Sequence, residues 1–116
     1  MSRLAILLAG IALAGLIGTV SRGGAAGTDA PPASRQAELL HLLRHDCGSC
    51  HGLTLKGGLG PALLPNALSG TPDEVLVATI LYGRPGTPMP PWRLALSAEE
   101  TRWLVSILRK GEFDAH

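Results

Sequence analysis

The chain has 116 residues, a formal net charge of +1, two cysteines and only 3% aromatic residues. That length sets one small domain as the expectation, and the near-balanced charge excludes the strongly basic footprint of a nucleic-acid binder. A domain this small and this poor in aromatic bulk needs a disulfide, a metal or a cofactor to complete its core.

Residues 1–26 read as a secretory signal. "MSRLAILLAGIALAGLIGTV" has one arginine, then no charge from residue 4 to 20, and small residues follow in "GGAA". A short basic start, an apolar run and a small-residue end mark such a segment. Cleavage is expected after Ala26 or Gly27. The alternative is a retained anchor, for which the apolar run is short against a bilayer about 30 Å thick. The domain is therefore expected outside the cytoplasm, in a bacterial periplasm, and at the membrane only if the signal is kept. Setting Arg3 and Arg22 aside leaves a slightly acidic remainder.

Residues 27–33 form a polar leader without a packing pattern, and residues 34–116 form the domain. Its first helix is expected from Ser34, a candidate cap. Leu39, Leu40 and Leu43 follow helical spacing, and Cys47 falls on the same stripe. Residues 52–70, rich in glycine, read as a loop. "TPDE" then predicts a second helix with Thr71 as cap, Pro72 at the first position and Glu74 closing a capping box. Leu76, Val77, Ile80 and Leu81 form its apolar stripe, and Gly83 suits its end. Residues 84–96, "RPGTPMPPWRLAL", carry too many prolines for a regular helix or a central strand. A third helix is predicted from the Ser97–Glu100 capping box, with Trp103, Leu104, Ile107 and Leu108 inward and Gly111 as its stop. Two long Gly/Pro loops in so small a domain call for a functional reason.

Both cysteines lie in "HDCGSCHG", residues 45–52. Zinc would need two further ligands at suitable spacing; no other cysteine exists, and His41 and His45, on the preceding helix, do not make a familiar zinc pattern with these two. A redox dithiol would sit at a helix start within a βαβ pattern, whereas this motif follows a helix and no strand pattern surrounds it. Two inert thiols would leave the poor core unexplained. Cys47-Gly48-Ser49-Cys50-His51 fits C-x-x-C-H, the attachment motif for c-type haem. Two thiols at this spacing reach the two vinyl groups of a porphyrin, and the histidine next to them binds iron axially. A covalently held haem also supplies the missing apolar bulk, so the apo chain is expected not to fold stably.

The sixth ligand is expected from Met89 in "TPMPP", the only methionine outside the signal, where Pro88 and Pro90 stiffen the backbone. Gly60-Pro61 is a candidate for approaching the ring, with the Pro61 carbonyl holding the free nitrogen of His51. Trp92, Arg84 and Arg93 are candidate partners of the haem propionates. His41 and His45 read as surface histidines on the first helix, and His116 lies in the tail.

Taken together, "CGSCHG", "GGLGP", "MPPW" and the last amphipathic helix resemble the class I c-type cytochromes over nearly the whole domain. The resemblance implies a small all-α fold of three main helices with long Gly/Pro loops wrapped around one covalent haem c. It implies that the first and last helices cross, and that one haem edge is exposed for electron exchange. It also implies thioethers at Cys47 and Cys50 and axial ligands His51 and Met89. "HDCGSCHGLTLKGGLGPAL", "TILYGRPGTPMPPW" and "LSAEE" resemble a narrower group, the small periplasmic cytochromes c encoded beside the cytochrome cd nitrite reductase of denitrifying bacteria (NirC). That group is implicated in passing electrons to the reductase or in maturation of its haem d. The expected function is thus a mono-haem electron carrier rather than an enzyme, with a periplasmic nitrite reductase or its maturation proteins as partners. The alternatives are a haem d maturation factor, a carrier for another oxidase or dehydrogenase, and a haem catalyst or gas sensor with an open sixth position.

Overall fold

The computed structural model describes residues 30–113, and the expected secretory signal, most of the expected leader and His116 lie outside them. Among the described residues the secondary structure is helical throughout. Helix α1 spans Ala33–Leu42, a π-helical turn follows over Leu43–Cys47, and α2 spans Gly48–His51. A four-residue helix, α3, covers Pro65–Leu68, followed by α4 at Asp73–Tyr82 and α5 at Ala98–Lys110. No helix among the described residues is long and apolar enough to cross a membrane.

The first helical run, expected to deliver Cys47, does so and continues through the rest of the C-x-x-C-H motif to His51. The π turn inserts one residue, and the Gly48 N–H closes it by donating to the Leu43 carbonyl five residues back. Such single π turns concentrate at functional sites because they re-aim the side chains that follow.

Two expected caps are corrected. α1 starts after Pro32 and α4 after Pro72, each with an extended proline at the N-cap and no side-chain cap bond. The Pro32 carbonyl accepts from Gln36 N–H, and the Pro72 carbonyl from Val75 and Leu76 N–H. The helices thus begin one residue beyond each proline. Ser34 falls inside α1, Thr71 lies one residue too early to cap, and the Thr71–Glu74 box does not form. The Ser97–Glu100 box does form, with both reciprocal bonds present. The 52–70 stretch is also not wholly loop, since Pro65 opens α3 at a first-turn position where its missing N–H costs nothing.

α5 packs on α4, α3 and α1. The core is one cluster in which Leu39 of α1, Leu43 of the π turn, Val77 and Leu81 of α4, and Leu104, Val105, Ile107 and Leu108 of α5 are buried. Trp103, expected inward, is half-buried at the edge of that cluster. Two arginines fasten α5 to the rest. Arg35 on α1 donates to Glu100 at 2.6 Å and to the Ala95 carbonyl at 3.2 Å. Arg109 on α5 donates to Asp73 at 2.8 Å, to the Leu68 carbonyl at 2.5 Å and to the Thr71 carbonyl.

Candidate functional site

The run α1–π–α2 ends at His51, and the chain reverses at Gly52. The loop beyond folds back over the motif through main-chain bonds: Gly57 N–H to the His51 carbonyl and Gly60 N–H to the Cys50 carbonyl, both at 2.8 Å. This brings the Pro61 carbonyl to 2.7 Å from His51 Nδ1. A carbonyl only accepts, so Nδ1 is the protonated nitrogen and Nε2 keeps the lone pair. Gly60 makes the approach possible. A Cβ at this position would lie 2.8 Å from His51 Cε1 and 2.9 Å from Nδ1.

Cys47 and Cys50 are free thiols, the first half-buried and the second exposed. Burial pushes the Cys47 thiol up to about 11, with the neighbouring Asp46 charge adding to the effect. The Ser49 hydroxyl, between the cysteines, donates to the Asp46 carbonyl at 2.6 Å and gives a partner to a carbonyl at the end of the π turn.

The proline-rich loop is stitched to the end of α4. Trp92 N–H donates to the Ile80 carbonyl at 3.0 Å and Arg93 N–H to the Leu81 carbonyl at 3.1 Å. These are carbonyls that a helix terminus leaves without intrahelical partners. Within the loop, Arg84 N–H donates to the Met89 carbonyl at 3.3 Å. The Thr87 hydroxyl donates to the Arg84 carbonyl at 2.7 Å. Gly83, at φ +70, is the socket: its Cβ would sit 2.7 Å from the Met89 carbonyl oxygen and 2.9 Å from Pro90 C. Met89 is held by its backbone from both sides.

These elements surround a cavity of about 700 Å³, within the roughly 300–1,000 Å³ typical of cofactor sites. Cys47, Cys50, His51, Pro61, Arg84, Met89 and Trp92 all line it, while Arg93 is not among the lining residues. The rest of the wall is mainly apolar, with Leu43 reaching it from the π turn, Leu68 from α3, Leu76 and Ile80 from α4, and Leu104 and Leu108 from α5. Asp46 and Arg84 are the acidic and basic residues in the lining. The mouth carries Leu59, 94% exposed, and Val75, 50% exposed.

The sequence reading missed Gly83 and Thr87 as the frame of Met89, and Arg109 as the tie on the Leu68–Thr71 wall. Gly83 does carry a signal, a glycine closing a helix just before a proline-rich loop. The tie made by Arg109 crosses the chain and leaves no local mark.

Two thiols and a lone-pair imidazole nitrogen on one wall of a large apolar cavity suit a flat prosthetic group held by thioethers and an axial ligand. The comparisons agree. The family model described as cytochrome C oxidase, cbb3-type, subunit III matches residues 34–106. Cytochrome c55X of Pseudomonas aeruginosa is 65% identical over 82 residues, covering 71% of this chain and 69% of that protein. The solved structure of a c-type cytochrome NirC matches with a TM-score of 0.70 at 65% identity, covering 72% of this chain and 98% of the other. Dihydro-heme d1 dehydrogenase of Pseudomonas aeruginosa is 38% identical over 71% of this chain, although the match spans only 14% of that larger protein. Its structural counterpart, NirN, aligns with a TM-score of 0.56, over 60% of this chain and 15% of that one. The chain belongs to the small c-type cytochromes: it is an electron carrier, helical among its described residues, with covalently attached haem c, and not an enzyme.

Proposed function

We propose that the protein is a periplasmic electron carrier of denitrification, serving a cytochrome cd nitrite reductase or the maturation of its haem d. The residues of the cavity fit the group, with Cys47 and Cys50 as thioether anchors and His51 and Met89 as axial ligands. Haem c, when bound, supplies a centre that accepts and releases one electron. The chain's own residues then set how that centre behaves. The Pro61 carbonyl fixes the His51 tautomer and leaves Nε2 with the lone pair that faces the group. Met89, framed by Gly83 and the Arg84–Thr87 bonds, would supply a second protein ligand to the iron, which would raise its potential and shut out exogenous ligands. Arg84 lines the cavity, and its guanidinium has no hydrogen-bond partner among the described residues, which leaves it for a propionate. Leu59 and Val75 form an apolar rim for a partner. A near-neutral surface suits such docking better than long-range steering.

What carries this reading is the convergence of His51 and Met89, each backbone-clamped, on one cavity with both cysteines. Visible spectroscopy of the oxidised holoprotein tests it. The weak far-red sulfur-to-iron band should be present in the native protein and lost in Met89→Ala. A native protein without that band that binds carbon monoxide readily would sink the ligand assignment and favour the open-site catalyst or sensor.

The likeness to a segment of dihydro-heme d1 dehydrogenase favours a second reading, in which the protein's partner is the haem d1 assembly machinery rather than the finished reductase. The two part on a deletion strain. A fully loaded reductase that turns over slowly with cellular donors supports the carrier, and a reductase lacking haem d1 supports the maturation role. The periplasmic address rests on residues 1–26 as a cleaved signal, which the N-terminal sequence of the purified holoprotein checks.

A further inference from the structure

Two histidines stand apart from the haem cavity. His41 lies on the last turn of α1 and His45 in the π turn that follows. Both side chains are exposed, and neither lines the cavity. Their ring centroids are 4.3 Å apart with the planes tilted by 43°. Rings this close on one helical run are near enough to share a single ion, for which zinc–imidazole bonds are about 2.0–2.1 Å long. Histidines four residues apart on a helix are also the spacing by which a helix presents two ligands to one zinc ion.

Glu38, one turn before His41, is engaged by Arg35 at 2.7 Å. Among the described residues no group of three or more metal-ligating side chains occurs. The pair therefore offers two nitrogens, with water or another molecule completing the shell. Imidazole pairs favour borderline divalent ions, with copper(II) and zinc(II) bound more tightly than manganese or iron(II) and harder ions excluded.

We propose that His41 and His45 form a bidentate surface site for a divalent ion of the zinc–copper class, separate from the haem. An ion held there bridges α1 to the π turn that precedes Cys47. Because the helical spacing exists only in the folded chain, binding raises thermal stability.

Calorimetric titration of zinc chloride into the oxidised, full-length holoprotein tests the site, zinc being chosen because it does not exchange electrons with the haem. One ion per chain is expected, with affinity lowered at least tenfold in His41→Ala or His45→Ala and unchanged in His116→Ala. Ala37 is exposed and lies four residues before His41 on α1. The pair Ala37→His with His45→Ala should therefore restore binding by rebuilding the spacing one turn earlier. An unchanged visible spectrum in each variant without zinc separates loss of the site from loss of the fold. Zinc binding that survives in the His41→Ala/His45→Ala double variant, or that fails to return in the rebuilt pair, overturns the proposal.

Discussion

Gly60→Ala is the sharpest probe of how His51 is held. Gly60 is not among the positive-φ glycines, so alanine meets no backbone obstacle there. The whole effect is therefore steric. The new Cβ would stand 2.8 Å from His51 Cε1, 2.9 Å from Nδ1 and 3.3 Å from Nε2. Carbon–carbon contacts are comfortable at about 3.5–4.0 Å, so either the imidazole or the loop must retreat by most of an ångström. The ring cannot slide freely, because Nδ1 is bonded to the Pro61 carbonyl at 2.7 Å. The loop cannot lift freely either, because Gly60 N–H is bonded to the Cys50 carbonyl. Overpacking of this kind costs about 1–3 kcal/mol, and a hydrogen bond broken in relief adds about 1 kcal/mol. We expect a loss of about 2 kcal/mol, which lowers Tm by roughly 10 °C in a domain of this size. Thermal denaturation of the purified holoprotein, followed at the haem absorbance, measures it. Gly70→Ala is the control, since its Cβ would meet nothing within 4 Å and should leave Tm unchanged or slightly raised. Equal Tm values and equal yields of attached haem for the two variants would refute the account of Gly60 as the residue that admits the His51 ring.

Gly83→Ala should act on the opposite ligand: a positive φ and a Cβ 2.7 Å from the Met89 carbonyl oxygen displace the loop, so the far-red sulfur band should weaken at unchanged haem content. Arg109→Ala removes charged donors from two backbone carbonyls and should lower stability to urea by about 2 kcal/mol, with Arg109→Lys recovering only part because an ammonium cannot serve several acceptors in a fixed fork. The Arg35 side chain hydrogen-bonded to Glu100 holds its carboxyl below its ordinary value of 4.5. The folded pKa being the lower one, this contact stabilises fully above that ordinary value and is lost as pH falls through the folded value. Acid denaturation should accordingly be shallower in Glu100→Gln. The Cys47→Ala/Cys50→Ala variant, which cannot tether haem, should lack a cooperative thermal transition by circular dichroism.

How far the sequence speaks depends on whether an interaction is local. C-x-x-C-H packs two anchors and one ligand into five residues, so its chemistry is readable without a fold. The Ser97–Glu100 box is equally local, and it forms. Ser34 and Thr71 look alike as caps, yet a nearby proline takes the N-cap in each case: Pro32, two residues before Ser34, and Pro72, directly after Thr71. The π turn has no compositional mark at all: Leu39, Leu43 and Cys47 keep an ordinary helical spacing whether the turn closes on the fourth or the fifth carbonyl. Arg109 is invisible for the opposite reason, since its partners lie 36 to 41 residues away.

The cavity joins these scales. Its walls come from residues far apart in the chain, such as Leu59, Val75 and Leu108, and no spacing rule collects them. Its existence was nevertheless implied by what the chain lacks. The buried cluster is aliphatic apart from Phe113, and both tryptophans stand only half-buried at its edge. Short helices with leucine and valine side chains cannot close around one another across a gap of this size. A space of about 700 Å³ beside both cysteines is where the absent aromatic bulk belongs. A composition too poor in aromatics to fill a core, and a motif that tethers a large planar group, are thus two descriptions of one structural need.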